Sequence, residues 1–324
     1  PSSRAKPFSL EGAQPEHGCA PFLWLGNSRI IEAVKTAFIG LGLMGYPMAG
    51  HLAEQLETIV WNRSCEKAEK HAQEFGSRVA ESIAEAAQAD VLFTCLPTSK
   101  EVLELLPHVI EGPKAGLIWV DCTSGDPSSA RQIASSLEAH GIRFLDAPVS
   151  GGVKGAIDGK LTAMIGGDTD TLELARPAIE TFAAKIVHCG PTGAGMAVKA
   201  ANQALLGVNI LALTEVLLGL ERQGVKSRTA LEVINSSSGR SNVSQNLFPE
   251  RVIGRAFPNT FSLALMTKDV RIAAQSLREQ HIPSPVTALT EQLLEVALRE
   301  LGDVDHVAAA QLLERWAGLE LGVE

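Results

Sequence analysis

A glycine run between a short apolar strand and a helix narrows the possible folds of this chain most. Ala37-Phe38-Ile39 leads into Gly40-Leu41-Gly42-Leu43-Met44-Gly45, and Met44 to Leu56 is helix-compatible, with Pro47 in the first turn where proline is tolerated. In a loop of this pattern the first glycine permits a tight turn and the second lets the backbone approach a pyrophosphate. The third allows close helix–strand packing. The free N–H groups and positive dipole end of the helix then face the phosphates. A lone GxGxxG is weak, because glycines cluster in many turns. The strand before it and the helix after it make a dinucleotide loop the better reading of Gly40, Leu41, Gly42, Leu43, Met44 and Gly45 than a purely structural turn.

From Thr36 to about Cys189 the chain alternates β-rich runs with helical segments. Thr36–Gly40, Thr58–Asn62, Val91–Leu96, Leu117–Cys122, Arg143–Val149, Leu161–Ile165 and Ile186–Cys189 read as strands; Glu66–Phe75 and Ser128–His140 read as helices between them. Such alternation predicts an α/β fold with a Rossmann-type, doubly wound, mostly parallel sheet. Beyond Gly195 nearly everything to Leu321 is helical, broken at Gly224, Ser236–Ser238, Pro258, Pro283 and Pro285. The expected organisation is a flexible extension over residues 1–33, a dinucleotide-binding domain over 34–192 and an all-α domain over 193–324, entered by a long helix at about 195–223.

Composition removes several function classes. With 324 residues there is room for two domains, and a net charge of −9 offers no basic surplus for nucleic acid. The five cysteines are scattered and never in CxxC spacing, and the eight histidines form no ligand pair, so neither a disulfide framework nor a metal site is expected. Ala204 to Leu220 is the longest apolar stretch, but Asn209, Thr214 and Glu215 interrupt it, as in a core or interface helix rather than a membrane span. Residues 1–26 mix Pro, Ser, Gly and both charge signs without periodicity. Arg4, Lys6 and the serines resemble a transit peptide while Glu11 and Glu16 oppose that reading, so the expected location is cytoplasmic, with the mitochondrial matrix as the alternative.

The end of the second strand bears on which nicotinamide is bound. An NAD enzyme usually places Asp or Glu there for the ribose 2′-OH; this chain has Asn62-Arg63-Ser64. Arg63 can hold a 2′-phosphate through fork-like, charge-assisted hydrogen bonds, aided by Asn62 and Ser64, which favours NADP and leaves NAD possible. Leu96-Pro97-Thr98 and Asp121-Cys122-Thr123-Ser124 end two further strands and face the same crevice.

Lys199 is the candidate for the chemistry. In Gly193-Ala194-Gly195-Met196-Ala197-Val198-Lys199-Ala200-Ala201-Asn202-Gln203 it begins an apolar helix, with Asn202 and Gln203 at i+3 and i+4 on its face. A polar trio on a buried helix needs polar partners, and a bound substrate is one. A lysine there can accept the hydroxyl proton when a carbinol is oxidised and return it in reduction, and burial brings its pKa towards working pH. Asp146-Ala147-Pro148-Val149-Ser150-Gly151-Gly152 ends in a turn whose backbone N–H groups and serine hydroxyl suit a carboxylate, although a loop without ligand is the commoner case.

These stretches, read together, resemble the β-hydroxyacid dehydrogenases. GLGLMGYPMAGHL is similar to that family's first motif, DAPVSGGVKGAIDGKLTAMIGG (Asp146 to Gly167) to its substrate loop, and GAGMAVKAANQ to its catalytic motif. Met266-Thr267-Lys268-Asp269-Val270 resembles its late cofactor-side lysine segment, and NSSSGRSN at Asn235 to Asn242 brings the chain nearest the members that act on 3-hydroxyisobutyrate. The resemblance runs from about Thr36 to Leu321. It implies a catalytic Lys199, a substrate carboxylate held by Ser150, Gly151 and Gly152, and Lys268 beside the nicotinamide. Leu96, Pro97, Glu101 and Ser124 match cofactor-contact positions. Two positions depart: many members have Asn where Gln203 stands, and Glu101 replaces a common neutral Asn.

The implied reaction is 3-hydroxyisobutyrate oxidised to methylmalonate semialdehyde with NAD(P). A reductase of small aldehyde acids (tartronate, glyoxylate or succinic semialdehyde) would use the same residues in reverse. Imine reductases resemble the family without its lysine, and a non-catalytic binding protein would be expected to have lost Lys199 or the carboxylate loop. The all-round apolar face from Ala204 to Leu220 must be covered, which predicts that the helical domains of two or more subunits pack together; the resemblance implies a homodimer or homotetramer.

Overall fold

The computed structural model describes residues 34–322, so the extension read from residues 1–33 lies outside the described residues. Nine strands form one sheet: β1 (Lys35–Ile39), β2 (Glu57–Trp61), β3 (Arg78–Val79), β4 (Val91–Thr94), β5 (Ile118–Asp121), β6 (Arg143–Asp146), β7 (Val149–Ser150), β8 (Leu161–Gly167) and β9 (Ala183–Gly190). Their order is β3-β2-β1-β4-β5-β6-β8-β7, with β9 also on β8. The pairs from β3 to β6 are parallel; β8 runs antiparallel to β6 and β7 and parallel to β9. The chain order reverses around β1, so the glycine loop opens at the topological switch point, beyond the carboxyl ends of the strands.

Two departures from the sequence reading have local causes. The run Arg143–Val149 is not one strand but β6 and β7, divided at Ala147-Pro148, where proline cannot donate to a ladder. The two-residue β3 is too short to leave a periodic signal.

Seven helices flank the sheet: α1 (Gly45–Ala53), α2 (Cys65–Phe75), α3 (Ile83–Ala86), α4 (Ser99–Val109), α5 (Pro127–Glu138), α6 (Gly152–Ile157) and α7 (Thr169–Ile179). Alternate strand residues enter opposite cores, as the period of two requires. Phe38, Val60, Phe93 and Val120 pack in one core with Met48 and Leu52 of α1, and Ala37, Ile39, Leu92 and Trp119 in the other with Val102 of α4 and Ile133 of α5.

The second unit is helical: α8 (Ala194–Arg222), α9 (Ser227–Asn235), a π-helical stretch Val243–Ile253, α10 (Leu263–Glu279), α11 (Pro285–Leu301) and α12 (Ala310–Ala317). α8 is long and apolar enough to cross a membrane, but Met196, Ile210, Leu211 and Leu217 are buried and the helix packs against α10, α11 and α12. It is a core helix. Its outward side still shows Val198, Leu205 and Val216, which are 44, 65 and 52% exposed.

The start of α8 positions the site. No side chain of its own caps it and its first turn holds no acid. Asp146, at the end of β6, supplies the cap from 47 residues away: Gly193 N–H donates to Oδ1 (2.7 Å) and Met196 N–H to Oδ2 (2.9 Å). Gly195 makes this approach possible, since a Cβ there would stand 2.2 Å from the Met164 carbonyl oxygen of β8.

Candidate active site

The glycine loop has the geometry its pattern predicts. Gly40, at φ +103°, lies so close to β4 that a Cβ would be 2.3 Å from the Cys95 carbonyl oxygen. A Cβ on Gly45 would be 1.9 Å from the Gly40 oxygen, whereas one on Gly42 would meet nothing within 4 Å. Gly40 and Gly45 are thus required by the fold. Gly42 leaves its exposed side open to a ligand. In the first turn of α1, which has no side-chain cap, Tyr46 N–H already donates to the Gly42 carbonyl (3.0 Å) and Pro47 has no N–H, so the N–H groups of residues 42–45 are the ones open to phosphate. This loop fits a dinucleotide pyrophosphate.

The residues after β2 divide into two roles. Asn62 braces the loop: its Oδ1 accepts from Leu41 N–H (2.9 Å) and its Nδ2 donates to the Ser64 carbonyl (3.0 Å). Both ends of the amide are therefore engaged by backbone. Arg63 and Ser64 are exposed and face solvent, and the Ser64 hydroxyl does not cap α2.

The loops after β4 and β5 are tied to each other. Leu96 N–H donates to Thr123 Oγ1 (3.0 Å) and Asp126 N–H to Ser99 Oγ (2.8 Å). Pro97 is exposed and Leu96 half-buried. The Glu101 carboxylate accepts from Thr98 N–H (2.9 Å), completing a capping box at the start of α4. Burial opposes ionisation there, but the hydrogen bonds from Thr98 keep the Glu101 carboxyl below its usual pKa. Its structural duty explains why an acid is tolerated at a position read from sequence as a cofactor contact.

Beneath these loops Asp121 is wholly buried. Thr94 Oγ1 donates to its Oδ1 (2.8 Å), as does Thr123 N–H (3.1 Å), and the Trp119 indole N–H donates to Thr94 (3.0 Å). Burial pushes the Asp121 pKa up to about 6.

Lys199 is buried, with 9% of its surface exposed. Burial pulls its pKa below the ordinary lysine value, the Asp269 carboxylate pulls it back up, and the Lys268 charge lowers it. Asp269 on α10 is buried and gathers this cluster. Its Oδ2 accepts from Gln203 Nε2 (3.2 Å) and its Oδ1 pairs with Lys268 Nζ (2.9 Å). Lys268 also donates to the Ser124 carbonyl, joining the helical unit to the end of β5. These bonds link Gln203, Asp269, Lys268 and Ser124 and leave the Lys199 ammonium out.

The shared polar face expected on α8 is only partly formed. Gln203 is buried beside Lys199, but its amide is committed to Asp269; Asn202 is exposed and donates to Gln203 Oε1 (3.2 Å). Ser150 pairs with Thr162 of β8, and Gly151 (φ +137°) and Gly152 (φ +65°) turn the chain into α6 with their backbone exposed. Ser150 of β7, which leads into Gly151 and Gly152, is therefore paired with β8, the strand whose Met164 backbone receives Gly195, one helical turn before Lys199.

Two residues that organise this site escaped the sequence reading, Asp146 and Asp269. For Asp269 there was a signal: it lies on the apolar stripe of α10, three residues after Met266 and beside Val270, where an unpaired acid would be costly.

Comparison with known proteins agrees with this geometry. Residues 35–190 match the family described as the NAD binding domain of 6-phosphogluconate dehydrogenase, and residues 193–313 the family described as NAD-binding of NADP-dependent 3-hydroxyisobutyrate dehydrogenase. The chain is 34% identical to 2-(hydroxymethyl)glutarate dehydrogenase of Eubacterium barkeri, covering 90% of this chain and 98% of that protein. It is 33% identical to mitochondrial 3-hydroxyisobutyrate dehydrogenase of Mus musculus, covering 79% of each. The solved structure of Mycobacterium tuberculosis 3-hydroxyisobutyrate dehydrogenase with L-serine superposes with a TM-score of 0.80 at 32% identity, covering 86% of this chain and 99% of that one.

Proposed function

Since the chain belongs to the 3-hydroxyisobutyrate dehydrogenase family of NAD(P)-dependent β-hydroxyacid dehydrogenases, we propose that it oxidises 3-hydroxyisobutyrate to methylmalonate semialdehyde with NADP. The observation that carries this reading is the buried Lys199 ammonium, left out of the hydrogen bonds that join its neighbours and set at a depressed pKa. When bound, the nicotinamide supplies the hydride acceptor. Lys199 takes the hydroxyl proton in oxidation and returns it in reduction, and its charged form stabilises an alkoxide. Ser150, Gly151 and Gly152 hold the substrate carboxylate through the hydroxyl and the exposed backbone N–H groups. Asn202 and Gln203 line the substrate side of α8.

On the cofactor side, Gly40 to Gly45 cradle the pyrophosphate and the half-buried Leu96, with Pro97, packs beside the nucleotide. Glu101 and Ser124 border that groove, and Lys268 lies near the nicotinamide. Arg63, assisted by Ser64, holds the 2′-phosphate, with Asn62 fixing the loop that presents it. Exposed arginine at the end of β2, with no acid there to repel a phosphate, supports NADP over NAD. The free cysteines Cys65, Cys95, Cys122 and Cys189 support a reducing setting, the cytoplasm or, as the alternative, the mitochondrial matrix.

A second reading keeps the residues and reverses the reaction, reducing small aldehyde acids such as tartronate or succinic semialdehyde. The acids named for relatives, 2-(hydroxymethyl)glutarate and L-serine among them, differ from one protein to the next and support a different acid as substrate, whichever direction the reaction runs. The test is a panel of hydroxy acids and semialdehydes assayed with both nicotinamides. The highest kcat/KM for 3-hydroxyisobutyrate with NADP is expected; a higher value for a different acid replaces the substrate assignment.

A further inference from the structure

The loop that presents Gly151 and Gly152 continues into α6, a helix of six residues. So short a helix is not stable by itself and depends on tertiary anchors. Packing supplies little: Ala156 is its one buried residue, and Ile157 is 59% exposed. One side of α6 lines a groove of about 700 Å³ that it shares with α1 and α2. What fixes α6 must therefore lie at its ends. At the front, Val149 and Ser150 pair with β8. At the back, His51 of α1 places Nε2 3.0 Å from the Ala156 carbonyl oxygen and 3.0 Å from that of Ile157.

Carbonyl oxygens only accept, so Nε2 carries the proton and shares it between the two. This gives the Ile157 carbonyl a partner that the helix C-terminus does not supply, and adds to the Gly159 N–H that already reaches the Ala156 carbonyl (3.3 Å). His51 is three-quarters buried in this position, with Nδ1 3.8 Å from Glu54, and Gly159 (φ +64°) passes so close that a Cβ there would touch the imidazole at 3.4 Å. The same α1 that carries His51 begins at the glycine loop.

We propose that His51 is a positioning residue for substrate: by holding the carboxyl end of α6 against α1, it sets the direction in which the Gly151 and Gly152 N–H groups meet the substrate carboxylate. A helix of six residues is only about 9 Å long, so a tie at one end fixes the angle of the other. The tie also references the carboxylate loop to the cofactor loop, since both are attached to α1. This inference rests on the assignment of Ser150, Gly151 and Gly152 to the carboxylate.

The experiment compares His51→Leu, which removes the donor at similar bulk, with His51→Gln, which keeps an N–H donor. In His51→Leu the KM for the hydroxy acid should rise about tenfold, the scale of one hydrogen bond's worth of binding, while kcat and the NADPH dissociation constant stay near wild type. The preference for the acid over its methyl ester should fall by the same factor, and His51→Gln should restore both. Hydrogen exchange gives a readout independent of turnover: amides of residues 152–157 should exchange faster in His51→Leu, and those of α1 should not. Unchanged KM, acid preference and exchange overturn the proposal, as does a loss shared equally by acid and ester. A wild type inert on every hydroxy acid sinks the carboxylate assignment and with it the substrate role of His51, while the exchange comparison still decides separately whether His51 ties α6 to α1. If His51→Leu does not fold, His51→Ser, which adds no bulk beside the groove, carries the same comparisons.

Discussion

The glycine loop gives the sharpest separation of fold from function, because two of its glycines differ in what surrounds them. A methyl group added at Gly45 would lie 1.9 Å from the Gly40 carbonyl oxygen and 3.0 Å from Phe38 Cε1. Ordinary contact is near 3.5 Å, so the overlap is about 1.5 Å against backbone that cannot rotate away. Overpacking of this kind costs about 1–3 kcal/mol, and a backbone neighbour places Gly45→Ala at the upper end. That corresponds to a melting temperature lower by roughly 6–10 °C for a domain of this size. Gly42→Ala is the opposite case. Nothing lies within 4 Å and its φ is ordinary, so the fold loses nothing and the lower entropy of the unfolded chain gives back about 0.4–1 kcal/mol. Its methyl group would, however, occupy the open side of the loop proposed to take the pyrophosphate. The assay is a thermal melt without cofactor, paired with titration of NADPH fluorescence. Gly42→Ala should melt at or slightly above wild type while its dissociation constant rises at least about tenfold, or 1.4 kcal/mol. Gly42→Ala with wild-type affinity, or the two variants melting alike, would refute the reasoning.

Lys199→Ala should lower kcat by at least about a hundredfold with cofactor affinity nearly unchanged; near-normal turnover would remove the lysine from the mechanism. Arg63→Asp should reduce the kcat/KM ratio of NADP over NAD by about tenfold or more, and a wild type that already prefers NAD contradicts the phosphate assignment without any mutant. Asp269→Asn removes the charge that raises the Lys199 pKa, so that pKa falls further. Oxidation needs the neutral amine and reduction the ammonium, so the rising limb of the oxidation profile and the falling limb of the reduction profile should both move to lower pH; limbs that stay in place would separate Asp269 from Lys199. Light scattering at micromolar concentration should give a mass at least twice 34.3 kDa, since the exposed Val198, Leu205 and Val216 on α8 call for a second copy; a monomer mass would exclude it.

Features set by neighbours in sequence were legible in the sequence. The order of strands and helices, the turn at Gly40 and the long α8 all follow from periodicity and glycine chemistry within about ten residues. The missed features depend on partners far along the chain. β6 and β7 cannot be separated by hydrophobicity, because Ala147-Pro148 is buried like the strands it divides. Asp146 looked like part of a loop motif, and only the packing of Gly195 on β8 brings the start of α8 to its carboxylate. Gln203 looked free for substrate because its partner, Asp269, lies 66 residues away on another helix.

The placement of Asp146 bears on how the proposed site keeps its register. It anchors the start of α8 through Gly193 and Met196, and Ser150 follows it by four residues on the same segment. The lysine helix and the carboxylate loop are thus measured from one strand end, whatever small movement the two units make against each other. Burial raises the Asp146 pKa, and the N–H groups of Gly193 and Met196 oppose that rise by bonding the ionised form. A hydrophobic residue at 146 would leave those donors unpaired beside β8, and a longer acid could not fit where Gly166 already stands so close that a Cβ would be 2.4 Å from Oδ1. Aspartate is therefore demanded by the geometry of α8, and the position of Lys199 follows from it.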